Sequence, residues 1–201
     1  MKIKLSDHFT LRRLLRFTLP SMVMMIFTSI YSVVDGFFVS NFAGKTAFAA
    51  VNFIMPTLMM LGGVGFMFGT GGSALVAMRL GEKKQMEANQ IFSMLVYVST
   101  VCGLVLGILG IIFLPNIARA LGAEGEMLEQ CVLYGRIVLL ANAAFFLQME
   151  FQSFFITAEK PHLGLTITVA AGVTNMVLDA VFVGVLRWGL VGAAAATALS
   201  Q

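Results

Sequence analysis

Charge is what this chain has least of. Only 11% of its 201 residues are charged while 59% are hydrophobic, and no water-facing surface can be built over so much apolar material from so few ionised groups. That shortage excludes an ordinary soluble domain and makes lipid the solvent. No segment is polar enough to form a soluble appendage or a disordered linker. Period-two alternation is also missing, so the apolar runs read as helices and not as the strands of a transmembrane barrel. The two cysteines, Cys102 and Cys131, form no Cys-x-x-Cys pair and have no nearby His. Neither a metal centre nor a disulfide framework is therefore expected, and both read as packing residues. The net charge of +3 requires no nucleic acid partner.

Apolar runs long enough for a crossing, about 20 residues of helix, recur at 14–42, 48–78, 91–114, 132–156 and 163–186, and a sixth begins at 189 and stops at 201. The expected fold is all-α: a polytopic helical bundle in which residues 1–201 form one transmembrane lobe with an unfinished sixth helix. Arg12, Arg13 and Arg16 before the first run resemble the start of a signal peptide. The run is too long for a signal core of about 7 to 15 residues and has no convincing cleavage site.

Basic residues are distributed unevenly. Lys2, Lys4, Arg12, Arg13, Arg16, Arg79, Lys83, Lys84 and Lys160 fall on one side of the alternating connections, and Lys45, Arg119, Arg136 and Arg187 on the other. The positive-inside rule then places the amino terminus in the cytoplasm of a multi-pass cell-membrane protein. The connection 115–130, with Glu124, Glu126 and Glu129, is expected to face outward as a solvated loop. His8 and His162 read as surface residues at membrane edges.

Within these spans, ionisable residues are rare enough to be informative, because such groups at bilayer depth are costly and mark ion, proton or substrate paths. Asp35 and Asp179 each lie about 12 Å from the outer ends of their helices, at 1.5 Å of rise per residue. Thr197, counted inward from Gly189, falls at a similar depth. Asn175 and Asp179 share a helical face at i, i+4, with Thr168 and Gly172 on the same stripe. Thr28, Tyr31 and Ser32 share the face of Asp35. Carboxylate, amide and hydroxyl oxygens are hard donors that replace the water of a small cation, and the same carboxyls can instead take up a proton. The competing reading is a hydrogen-bonded cluster that locks helices together.

Gln148, Glu150 and Gln152 form a second polar cluster, read either as attraction for a cationic substrate or, for Glu150, as a pairing with Lys or Arg near the interface. The Gly-rich stretch 62–72 follows no strand and lacks the Gly-Lys-Ser/Thr ending of a phosphate loop. It reads as a surface for close helix approach or as one wall of a cavity. Pro20 and Pro56 each remove a helix hydrogen bond and can seed a bend.

In order and spacing, several short motifs carry a family resemblance: Pro20-Ser21, Val34-Asp35-Gly36, Arg79-Leu80-Gly81, Leu121-Gly122-Ala123, Asn175 with Leu178-Asp179, the run Gly189-Leu190-Val191-Gly192-Ala193-Ala194, and Ala196-Thr197. Over nearly all its length the chain resembles the amino-terminal half of multidrug and toxic compound extrusion (MATE) transporters. The resemblance implies a twelve-helix secondary transporter of two six-helix lobes, not an enzyme and with no catalytic residue or cofactor. The transporter so implied exports cationic or amphipathic small molecules in exchange for Na+ or H+. By the same resemblance Asp35, Asn175, Asp179 and Thr197 form the amino-lobe cation or proton site and Pro20 is a bending hinge. Glu150, Gln148, Gln152 and Tyr31 are candidate substrate contacts. The expected partners are the lipid bilayer, the small-molecule load and a carboxy-terminal lobe missing from these 201 residues.

Three rival readings remain. A lipid-linked saccharide flippase of the same fold needs a basic cavity, whereas the mid-membrane charges here are acidic. An intramembrane aspartyl protease needs Tyr-Asp and Gly-x-Gly-Asp contexts, whereas Asp35 follows Val34 and Asp179 follows Leu178. A structural scaffold leaves the matched acids unexplained.

Overall fold

The computed structural model describes residues 11–201. Lys2, Lys4 and His8 lie outside the described residues, as do the side chains of Arg12, Arg13 and Arg16. Helix α1 (Leu11–Phe38) runs into a π-helical segment, Val39–Ala43. After Gly44 come α2 (Lys45–Gly81), α3 (Gln85–Ala120), α4 (Gly125–Leu140), α5 (Asn142–Thr157) and α6 (Pro161–Asp179). A second π-helical segment, Ala180–Val185, and α7 (Gly189–Leu199) complete the bundle. The described residues contain no strand, and the all-α bundle expected from composition is the fold observed.

Among the described residues four helical spans are long and apolar enough to cross a membrane, and a fifth arises if α4 and α5 are taken together. Those two differ from expectation: the run 132–156 is not one straight helix but two, bent by 59° at Ala141. The bend has a visible cause. The Asn142 side-chain amide donates to the Gly103 carbonyl on α3 at 2.8 Å, and the α4–α5 backbone lies so close that a Cβ on Gly103 would sit 2.9 Å from Ala143 Cα. A Cβ on Gly107 would sit 2.9 Å from the Leu139 carbonyl. Glycines four residues apart thus make a shelf on α3 for the bent backbone, and a cross-helix hydrogen bond holds it there.

The expected loop 115–130 contracts to a turn. Pro115 sits inside α3, which continues to Ala120. Proline is tolerated in membrane helices where neighbours re-satisfy the backbone. Helix α3 closes with Gly122 N–H donating to the Arg119 carbonyl and Ala123 N–H to the Ala118 carbonyl. This pairing needs a left-handed residue, supplied by Gly122 at φ 101°. Glu124 precedes α4 and Glu126 lies in its first turn, where negative charge favours a helix start. Helix α7 has 11 helical residues, short of a crossing.

Helix α2 presents Gly62, Gly65 and Gly69 to α5. A Cβ on Gly65 would lie 2.9 Å from Phe146 Cα, and one on Gly69 would lie 2.9 Å from the Met149 carbonyl oxygen. The glycine stretch therefore acts as a close-approach surface. Gly63 and Gly71 point away, with nothing within 4 Å of an added Cβ. Cys131 is buried and directs its thiol at the Ala50 carbonyl, 3.5 Å away, between α4 and α2. Helix α1 packs chiefly on α6, while α2, α3, α4 and α5 form a second block. A cavity of about 440 Å³ lies between the two.

Candidate functional site

The site begins with how α1 meets α6. Gly172 has no side chain, and the rings of Phe27 and Tyr31 occupy its place: an added Cβ would lie 2.5 Å from Phe27 Cε1 and 3.1 Å from Tyr31 Cδ1. One turn beyond Tyr31 is Asp35, and two turns beyond Gly172 is Asp179. The helices run in the same direction, so this contact brings the two acids level. Their carboxyls come within hydrogen-bonding range of each other.

Asp179 is fully buried and Asn175 almost so. Among the described residues, Oδ1 of Asp35, both oxygens of Asp179 and Oδ1 of Asn175 are buried with no hydrogen-bond partner. Two carboxylates offer no proton to share. A cluster of buried, unpaired oxygens is expensive unless a proton or cation joins them. Both acid-bearing helices change to π-helical geometry on the same side of the acids, immediately after Asp179 and four residues after Asp35. Such segments leave the regular i, i+4 ladder and cluster at functional sites.

Thr197 comes from α7 and lines the same cavity as Asp35 and Asn175. Asp179 sits behind that lining. The four residues singled out in the sequence are therefore neighbours, contributed by α1, α6 and α7. One more member has no place in the sequence reading. Tyr134 of α4 is 1% exposed, and its hydroxyl stands beside Thr197 and close to both acids, short of hydrogen-bonding geometry. The signal available in the sequence is a lone Tyr in an apolar span, whose hydroxyl needs a polar neighbour when buried.

The second polar cluster divides. Gln148 and Gln152, one turn apart on α5, line the cavity with Tyr31. Glu150 does not. It lies on the opposite side of α5, fully buried, and its Oε2 accepts a hydrogen bond from the Ser99 hydroxyl on α3. Residues two apart on a helix cannot share a face, which corrects the reading of Gln148, Glu150 and Gln152 as one cluster. Neither the cavity role nor the pairing with Lys or Arg fits Glu150.

The remaining cavity wall is rich in methionine: Met24, Met25, Met55, Met59 and Met149. These unbranched, polarizable side chains adapt to ligands of different shape. Asp35 is the one ionisable carboxyl among the described lining residues, and no Lys or Arg joins it. Pro20 lies inside α1, which is helical without a break from Leu11 to Phe38. Far from the cavity, where α2 turns into α3, Arg79 and Lys84 pair with Glu82 at 2.9 Å and 3.2 Å. Hydrogen bonds from Arg79 and then Lys84 hold the exposed Glu82 carboxyl below the usual carboxylate range.

The MatE family model matches residues 20–181. The multidrug export protein MepA of Staphylococcus haemolyticus (strain JCSC1435) is 26% identical over 190 residues, which are 94% of this chain and 42% of that protein. Among solved structures, a multidrug resistance MATE family transporter of the MOP superfamily in an outward-facing conformation aligns with TM-score 0.87 and 27% identity. The alignment covers 92% of this chain and 41% of that one. A MATE in the bent conformation aligns with TM-score 0.85 at 27% identity, again over 92% of this chain and 41% of that chain. The chain spans less than half the length of these relatives. With crossing-length apolar helices and membrane transporters as relatives, it is a multi-pass membrane protein.

Proposed function

This chain belongs to the MatE family of membrane transporters, and from that premise we propose that it works as the amino-terminal lobe of a multidrug efflux carrier that exchanges cationic or amphipathic compounds for Na+ or H+. The observation that carries this reading is the group of buried oxygens on Asp35, Asn175 and Asp179 that have no hydrogen-bond donor. A proton shared by the two acids satisfies part of the group. A monovalent cation held by the carboxylates, the Asn175 amide oxygen and the Thr197 hydroxyl satisfies more of it.

The load enters the adjoining cavity. Its methionine wall suits varied apolar shapes, Gln148 and Gln152 supply neutral hydrogen bonds, and Asp35 attracts positive charge. Coupling follows from competition: a cation or proton that neutralises Asp35 removes the attraction that holds a cationic load, so ion entry favours load release. The acidic lining also argues against a flippase for anionic pyrophosphate carriers. Alternating access requires two lobes that rock about the site, so the second lobe is the expected partner and Pro20 is the proposed bending point of α1. By the positive-inside rule, the basic residues at the α2–α3 turn support a cytoplasmic position for that end.

The test is efflux of a fluorescent cation from vesicles that contain this chain with a carboxy-terminal lobe, under imposed Na+ or proton gradients. Asp35→Asn and Asp179→Asn keep side-chain volume and hydrogen bonding but cannot balance a cation. Each is expected to abolish gradient-driven efflux while leaving insertion and melting unchanged. Normal export by either variant under both gradients refutes the proposal.

A further inference from the structure

A separate groove of about 430 Å³ lies between the end of α3 and the first half of α4, away from the acidic cavity. Its walls are mostly apolar, yet Arg119 and Arg136 both line it. Leu114 fixes their relative height. A Cβ on Gly135 would lie 2.6 Å from Leu114 Cδ2, so Arg136 sits near the level of Leu114 and Arg119 is about 8 Å nearer the end of α3, at 1.5 Å per residue. A guanidinium on its long stem can rise toward the interface, and both arginines line the one groove.

Both arginines are exposed, and neither forms an ion pair among the described residues. The surface around Arg136 is built for lipid, with Leu133 42% and Leu140 74% exposed. Two like charges in one apolar groove repel each other, and lone cations among lipid-facing side chains are costly. A phosphate between them removes both penalties, because the planar forks of two arginines each match a phosphate edge. Glu129 also lines the groove. Its carboxylate accepts hydrogen bonds from headgroup hydroxyls, and two arginines against one glutamate leave a rim that favours a net anionic lipid over a zwitterionic one.

We propose that this groove binds an anionic phospholipid of the phosphatidylglycerol type, its phosphate between Arg119 and Arg136, its glycerol hydroxyls on Glu129 and an acyl chain along Leu133 and Ile137. Native mass spectrometry of the full chain tests this, with phosphatidylglycerol and phosphatidylethanolamine of matched acyl chains added in turn. The expected result is retention of one phosphatidylglycerol per chain, at least about fivefold over phosphatidylethanolamine. The double variant Arg119→Gln, Arg136→Gln loses that preference. Arg187→Gln, which removes an exposed arginine at the α6–α7 turn, keeps it. Equal retention of the two lipids by the unaltered chain overturns the proposal even if the double variant fails to fold. A folded double variant that retains the preference, or an Arg187→Gln variant that loses it equally, also overturns it.

Discussion

Replacing Gly69 with alanine tests whether backbone-to-backbone approach holds the larger block of the lobe together. The new Cβ lands 2.9 Å from the Met149 carbonyl oxygen, 3.0 Å from Glu150 Cα and 3.0 Å from Ser153 Oγ. Two of those atoms are backbone and cannot swing aside, so α2 and α5 must separate by several tenths of an ångström. Overpacking of this kind costs about 1–3 kcal/mol, offset in part by the helix preference of Ala over Gly, about 0.8–1.0 kcal/mol. Gly71 lies on the same helix two residues away, with nothing within 4 Å of its added Cβ, so Gly71→Ala carries the gain without the clash. The two variants should differ by about 2 kcal/mol, roughly thirtyfold in the unfolding equilibrium. Titration of purified protein with SDS in mixed micelles, followed by circular dichroism, measures the difference. Equal midpoints for Gly69→Ala and Gly71→Ala would refute the close-approach argument.

Thr197→Ala and Tyr134→Phe each remove one hydroxyl beside the acids and should lower gradient-driven efflux several-fold, less than either Asp→Asn change; unchanged rates in the vesicle assay would remove both from the site. Glu150→Gln keeps a polar group against Ser99 and lies outside the cavity, so export of cationic and neutral compounds should stay in the same ratio, and a selective loss of cation export would contradict its placement. At the α2–α3 turn the folded Glu82 carboxyl titrates below its unfolded value, so whatever stability it adds is present above the ordinary carboxylate range and is lost as pH falls through the depressed one. Melting of Glu82→Gln against pH should show that dependence removed, the two proteins converging in acid. For topology, Glu124→Cys should react with a membrane-impermeant thiol reagent from outside whole cells and Lys83→Cys should not, and the reverse pattern would invert the proposed orientation.

The class of fold and the shared level of the acids are legible in the amino-acid sequence because both depend on local quantities. Apolar run length decides what crosses, and a fixed rise per residue converts position into depth, so Asp35, Asp179 and Thr197 can be placed together before any packing is known. Helical phase is equally local, and it is the step that separates Glu150 from Gln148 and Gln152. The bend at Ala141 is less accessible: Asn142 reads as one polar residue in an apolar run, and its role depends on the Gly103 carbonyl of another helix. Tyr134 and the five cavity methionines share that difficulty, because the face an apolar helix turns inward is decided by neighbours distant in sequence. Glycine is the partial exception. The phase of Gly62, Gly65 and Gly69 picks out one side of α2, while which helix covers that side is a tertiary fact.

The arrangement also explains why the acids belong on the smaller block. Helices α2, α3 and α5 meet through glycines at near-backbone contact, and α3 and α5 are pinned further by Asn142 to Gly103 and Ser99 to Glu150. Such contacts resist sliding, because small shifts meet backbone atoms. Helices α1 and α6 meet through aromatic rings on Gly172 and contact the other block mainly at one end, through the π-helical segments and α7. Below that junction the cavity intervenes. The ion or proton proposed to join Asp35 to Asp179 therefore acts inside the α1–α6 pair, while Tyr134, Gln148 and Gln152 face that pair from the other block. Changing the charge between the acids alters how tightly α1 and α6 bind each other, and Asp35 is the member of that pair that also lines the cavity. In the proposed mechanism one carboxyl thus answers to both the ion and the load, which is the minimum that exchange of one for the other requires.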